Sequence, residues 1–175
     1  MALVVLDAGH GGANPGAVYQ GRQEKDDALA LTLAIGNILE AEGVDVYYTR
    51  TTDVYETPLQ KAQEANATGA DYFVSIHRNS SPIPNQYTGI ESLVYSPYGE
   101  AARLAANINE ELEEVGFVNQ GVNQRQNLVV LRRTQMPAVL VEVGFINTDM
   151  DNQMFDDTFE ETAQAIAKGI LETLE

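Results

Sequence analysis

Short apolar runs alternate with longer amphipathic stretches along this chain. Leu3–Asp7 is an apolar run that stops at Gly9, which predicts a buried strand. From Glu24 to Glu42, the residues Leu29, Leu33, Ile35, Ile38 and Leu39 fall near helical spacing, and Gly43 ends the predicted helix. Val44–Thr49 reads as a second strand. Pro58 opens a helix that runs to about Thr68, with Gly69 as its C-cap. Asp71–His77 is a third strand built on Phe73, Val74 and Ile76, and Ile90–Tyr95 is a fourth, ended by Pro97. Glu100–Val115 reads as a helix, Asn127–Leu131 and Ala138–Val143 as the fifth and sixth strands, and Thr158–Leu174 as the closing helix. The order β-α-β-α-β-β-α-β-β-α predicts an α/β three-layer sandwich, a mixed sheet with helices on both faces.

Composition narrows the chemistry. The 175 residues are 44% hydrophobic, which suits one folded domain spanning 1–175. The formal net charge is −16, from 10 Lys+Arg against 26 Asp+Glu. Such a chain lacks the basic face that phosphate neutralisation needs, which argues against nucleic acid as a partner and against an electrostatic membrane anchor. No run approaches the roughly 18 apolar residues of a membrane span, so no membrane insertion is expected. There is no cysteine, which excludes disulfides, thiolate metal sites and cysteine nucleophiles. The amino terminus, Met1 to Asp7, has neither a basic n-region nor a cleavage site. A location outside the cytoplasm therefore implies a removed signal, another route of release, or a domain excised from a longer chain.

Several motifs fail. The stretch from Gly9 to Gly16 has P-loop spacing when counted from Gly11, but Ala17 and Val18 stand where the phosphate-binding Lys and the Mg²⁺-binding Ser/Thr belong. There is no G-x-S-x-G nucleophile elbow. The Asp149–Asn152 segment lacks the central Gly and closing Glu of a calcium loop.

What survives is a metal site of imidazole and carboxylate donors. The chain has two histidines, His10 just past the first strand and His77 at the end of the third. In open α/β sheets, sites gather at the carboxyl ends of strands. Two His and one carboxylate, with an open position, form a catalytic zinc set. The residues alone leave the third ligand open among Glu24, Asp26, Asp27 and Asp7. Glu142 interrupts the apolar run Val139 to Phe145, and an unpaired buried carboxylate is costly. It therefore either pairs with a cation, Arg132 or Arg133, or serves as a general base beside a metal.

Four ordered segments carry a family resemblance: Leu6-Asp7-Ala8-Gly9-His10-Gly11-Gly12, Gln23-Glu24-Lys25-Asp26, Ser75-Ile76-His77-Arg78-Asn79-Ser80, and Met136-Pro137 through Glu142-Val143-Gly144-Phe145-Ile146-Asn147. Together they resemble the zinc-dependent N-acetylmuramoyl-L-alanine amidases of the Amidase_3 type, which are bacterial and phage cell-wall hydrolases. The resemblance spans nearly the whole chain. It implies a twisted six-stranded sheet, Zn²⁺ held by His10, Glu24 and His77, and Glu142 as the catalytic glutamate. It implies peptidoglycan as the substrate, cut between N-acetylmuramic acid and L-alanine, and action at the cell wall or outside the cell. Glu142 would take a proton from water and pass it to the departing amine. Asn79 and Ser80, which follow His77, are candidate hydrogen-bond donors to substrate, and Arg132 and Arg133 are candidates for a stem-peptide carboxylate.

The chain departs from the family pattern in places. Arg78 stands where a small or apolar residue is more usual, which implies an altered substrate mouth, and Ala8 replaces a frequent proline, which a turn tolerates. The stretch between His77 and Glu142 is too short for the occluding helix of some septal members, which implies an open site. No wall-binding repeat follows Glu175, so further wall-binding domains or an activator are expected from elsewhere. The competing readings are a zinc peptidase or carboxypeptidase acting on another amide, and a non-catalytic wall-binding module.

Overall fold

The computed structural model describes residues 1–175. In chain order the elements are β1 (Leu3–Ala8), a short hairpin of β2 (Val18–Tyr19) and β3 (Arg22–Gln23), α1 (Glu24–Ala41), β4 (Asp45–Tyr48), α2 (Pro58–Thr68), β5 (Tyr72–Asn79) and β6 (Ile90–Val94). They continue with α3 (Glu100–Val115), β7 (Asn119–Gln124), α4 (Val129–Arg132), β8 (Ala138–Phe145), α5 (Asp149–Asp157) and α6 (Phe159–Leu174). Six strands form one sheet in the order β4-β1-β5-β8-β6-β7. The first four of these are mutually parallel, β6 runs antiparallel to β8, and β7 is parallel to β6. The predicted mixed six-stranded α/β sandwich is the observed one.

Side chains alternate across the sheet, so each strand feeds two layers. Val4, Leu6, Val74, Ile76, Val139 and Val141 face the larger core, packed against helix residues such as Leu31, Ile35, Leu104, Ile108, Ile166 and Ile170. On the other face, Val5, Phe73, Leu93, Ala138 and Leu140 meet Ala65 of α2 and Val130 and Leu131 of α4. These two helices are short, at 11 and 4 residues, and they roof only part of that face. Further along the same strands the residues turn polar: Asp7, Ser75, His77, Asn79, Glu142 and Glu91. Strand register places His77 beside Glu142, and Glu142 beside Glu91. The uncovered part of this face is therefore a row of ionisable groups running across the sheet.

The structure corrects one strand. Residues 127–131 are not a sheet strand; Val129–Arg132 form α4. A short apolar run is compatible with either a strand or a buried helical turn, and here the need to cover Phe73 and Leu140 selects the turn. The sixth strand of the sheet is instead β7, Asn119-Gln120-Gly121-Val122-Asn123-Gln124, an edge strand with no apolar pattern. Its polar side chains bond sideways, as when Asn123 donates to Glu91 (2.7 Å) and Gln120 to the Thr88 carbonyl (2.8 Å).

Candidate active site

His10, Glu24 and His77 arrive from three separate segments and converge. His10 follows β1 in the glycine-rich loop, Glu24 is the first residue of α1, and His77 lies on β5. His10 Nε2 lies 3.1 Å from Glu24 Oε1, and His77 Nδ1 lies 3.1 Å from Glu24 Oε2. The three candidate ligand atoms all fall within 4.8 Å of one another.

The surrounding backbone holds this geometry. The N–H groups of Ala17 and Arg78 donate to the two oxygens of Glu24, at 3.0 Å each. His10 Nδ1 sits 3.1 Å from Asn14 Oδ1, which turns Nε2 towards Glu24. His10 itself has a positive φ of 65°, a costly conformation for a non-glycine residue and one that turns up at functional sites. Two glycines leave room for the rings. A Cβ on Gly9 would lie 2.4 Å from His77 Cε1, and one on Gly16 would lie 2.6 Å from both Glu24 Oε1 and His10 Cδ2. The loop is stapled from below by buried Arg50, which donates to the carbonyls of Ala8 (3.1 Å) and Gly9 (2.9 Å).

The rival carboxylates are accounted for. Asp7 is buried and paired with Lys61 at 2.8 Å, and it also accepts from Thr49 and Ser75. Asp27 bridges Arg22 and Arg78, each at 2.7 Å, and Asp26 is exposed. The unusual Arg78 does not reach the mouth of the site. Its side chain is buried, donates to Asp27 and Asn152, and stacks over Phe155 at 4.4 Å.

Charge at the site is arranged unevenly. Burial would raise the Glu24 carboxyl, but the hydrogen bonds from His10 and His77 outweigh it and hold the group well below the usual carboxylate range. Burial disfavours the His77 cation, yet the Glu24 hydrogen bond and the Glu142 charge raise its pKa. Burial pushes Glu142 up to about 7; the Glu24 and Glu91 charges add to this, while His77 opposes it. Glu142 Oε2 is buried with no hydrogen-bond partner. Neither Arg132 nor Arg133 supplies one; both are exposed, at the last residue and the C-cap of α4.

These residues fit a divalent metal. Two imidazoles and a carboxylate, preorganised by backbone donors and lacking any thiol, are a borderline donor set of the kind that binds zinc-like ions. An orphaned, buried carboxyl oxygen one strand away is where a proton acceptor for chemistry at that metal belongs.

Clefts open on both sides of this centre. One is lined by His10, His77 and an apolar wall from Tyr55, Pro58 and Leu128 to Val130. The other lies past Glu142 and is lined by Asn79, Tyr87, Glu91, Gln120, Asn123 and Phe145. Asn79 donates to Glu91 (3.0 Å), and Ser80 is exposed, its N–H bonded to Asn79 Oδ1 (2.9 Å). Arg132 and Arg133 line neither cleft. Glu91, Gln120 and Asn123 were not foreseen; an acidic residue interrupting the apolar strand Ile90–Val94 was the available signal for Glu91.

Comparison with known proteins agrees with this geometry. The chain is 38% identical over 180 residues to the sporulation-specific N-acetylmuramoyl-L-alanine amidase of Bacillus subtilis, covering 100% of this chain and 68% of that protein. It spans about two thirds of the length of that protein, of the CwlM amidase of Bacillus licheniformis and of the endolysin of Bacillus phage SPP1. The crystal structure of an N-acetylmuramoyl-L-alanine amidase from Clostridium difficile 630 superposes with a TM-score of 0.93 at 31% identity, covering 99% of this chain and 96% of that one. The CwlD amidase of Clostridioides difficile, solved in complex with the GerS lipoprotein, gives a TM-score of 0.89 at 31% identity, covering 99% and 98%. The Amidase_3 family profile, described as N-acetylmuramoyl-L-alanine amidase, matches residues 4–172, and this chain belongs to that family.

Proposed function

We propose that this chain is a zinc-dependent hydrolase that cleaves the amide bond between N-acetylmuramic acid and the L-alanine of the peptidoglycan stem peptide. The observation that carries this reading is the convergence of His10, Glu24 and His77 within 4.8 Å, beside the buried, unpartnered carboxyl oxygen of Glu142. His10, Glu24 and His77 would hold the ion. When bound, it supplies Lewis-acid activation of water and of the amide carbonyl.

The protein's own groups do the rest. Glu24, kept ionised by its two histidine and two backbone contacts, balances the positive charge of the centre. Asn14 fixes the orientation of His10. Glu142 accepts a proton from water at its free Oε2 as the carbonyl carbon is attacked. It then returns that proton to the departing amine nitrogen, so its protonation state is the same before and after turnover. Burial raises this carboxyl above the usual carboxylate range, which makes it a better base than an exposed glutamate and a competent acid in the second transfer. No covalent intermediate is required.

Peptidoglycan is thus the partner, and the cell wall is the place of action. No helix is long and apolar enough to cross a membrane. An activating partner is consistent with the lipoprotein complex of the CwlD relative. The test is the chemistry of the product: a released peptide whose new amino terminus is L-alanine supports the reading. A new carboxyl terminus within the stem peptide would point instead to a peptidase.

A further inference from the structure

This inference rests on the amidase reading and specifies what the site takes on the peptide side of the bond. The two clefts differ in chemistry. The one past Glu142 offers side-chain amides from Asn79, Gln120 and Asn123 and the rings of Tyr87 and Phe145, a lining suited to sugar hydroxyls. The one past His10 and His77 has a wall of Tyr55, Pro58, Leu128, Val129 and Val130, which suits an aliphatic chain.

Two acids and a lysine also line this cleft; Asp7 and Lys61 pair with each other at 2.8 Å, which leaves Glu56 as the acid without a cation. It precedes Thr57, the N-cap of α2, and the cap does not use it. Thr57 Oγ1 accepts from the Gln60 N–H (3.1 Å), and the Gln60 side chain accepts from the Thr57 N–H (2.8 Å). Glu56 Oε1 is buried without a hydrogen-bond partner. The nearby ammonium of Lys61 is already engaged by Asp7 at 2.8 Å and the Ala8 carbonyl at 3.2 Å. The other close ionisable group is a second acid, Glu64. Burial, and then the neighbouring acid Glu64, push Glu56 up to about 7, so a cation arriving there would also draw the carboxyl into its charged form.

A desolvated carboxyl oxygen with no partner is costly. In a cleft that His10 and His77 also line, beside apolar side chains, it completes a different pattern. The walls take methylene groups and the carboxyl takes a charged head. We propose that this cleft receives an aliphatic side chain ending in an ammonium, as a diamino acid in the stem peptide carries, and that Glu56 is the residue that selects it.

The test uses two N-acetylmuramyl tripeptides that end in lysine, identical except that one is acetylated at Nε. The zinc-loaded protein is expected to show a kcat/KM at least tenfold higher for the free amine, expressed mainly in KM. Glu56→Gln is expected to bring the ratio of the two within twofold of one, and Glu56→Lys to invert it. Melting curves establish that both variants fold. Equal cleavage of both peptides by the unaltered protein overturns the inference while leaving the amidase reading intact, and this arm needs no variant. A preference that persists in folded Glu56→Gln also overturns it. Cleavage of neither peptide overturns the amidase reading and this inference with it.

Discussion

Glu142 occupies a strand position whose neighbours Val141 and Val143 are fully buried and apolar; it lies beside His77 in register, and its Oε2 is buried without a partner. Replacing it by Gln keeps the shape and removes the basicity. Glu142→Gln is expected to bind metal with unchanged stoichiometry and to lose about 10²–10⁴-fold in kcat. Metal analysis and turnover on the same preparation check this; activity within a few-fold of the parent would remove Glu142 from the role of base. The pH profile follows from the same group. The base must be ionised, so kcat/KM rises with pH as Glu142 loses its proton. Its pKa is about 7 without an ion, and a neighbouring cation lowers a carboxyl pKa, so the acid limb should lie below 7. Asp7 and Lys61 carry a prediction for stability. Burial alone would raise the Asp7 carboxyl, but the Lys61 ion pair outweighs it and depresses its pKa. Lys61→Met strands a buried carboxylate and should destabilise the fold by about 3–5 kcal/mol at neutral pH in denaturant titration. A depressed folded pKa contributes stability above the unfolded aspartate pKa and loses it as pH falls through the folded value. The deficit of the variant should therefore shrink in acid.

At the scale of elements, the loop between β1 and α1 positions two of the three candidate ligands, and its glycines are steric requirements. Gly16 has a φ of 70° and faces both Glu24 and His10. Gly16→Ala should weaken zinc affinity at least tenfold while leaving far-ultraviolet circular dichroism unchanged; unchanged affinity would mean that the loop does not shape the centre. The elements that carry dense apolar patterns are legible from sequence, because β1, β5, β8 and the helices α1, α3 and α6 form the larger core through that patterning. Where burial is carried by few residues, the pattern misled. The run at 127–131 reads as a strand by composition but folds as α4. Polar β7 gives no periodic signal because its pairing is backbone work at a sheet edge. Helix α5 (Asp149–Asp157) went unseen because only Asp151 and Phe155 in it are buried. The motifs single out residues that lie close in the fold: His10, Glu24 and His77 fall within 4.8 Å of one another, and Glu142 sits beside His77 in register. Arg78 was misjudged as a residue of the site mouth, since sequence cannot tell that Asp27 and Phe155 wait to receive it on the other side of the strand.

For the whole molecule, the decisive feature is the unequal covering of the sheet. Three long helices close one face, and two short ones leave part of the other face open where the strands turn polar. The site is held by several segments at once, so its occupancy should register in global stability. Zinc at about 100 times its dissociation constant should add roughly 2.7 kcal/mol to unfolding, provided the unfolded chain does not bind it. Denaturant unfolding with and without a chelator measures this, and coincident curves would mean that the folded chain holds no ion. The formal charge of −16 gives no attraction to anionic wall polymers. The most direct measurement of the central claim is the mass of soluble products released from purified peptidoglycan, with chelator and after zinc is restored. Free stem peptides with an L-alanine amino terminus, lost on chelation and regained with zinc, are the predicted result. Fragments cut within the stem peptide or the glycan, or release that is indifferent to the chelator, would contradict the account.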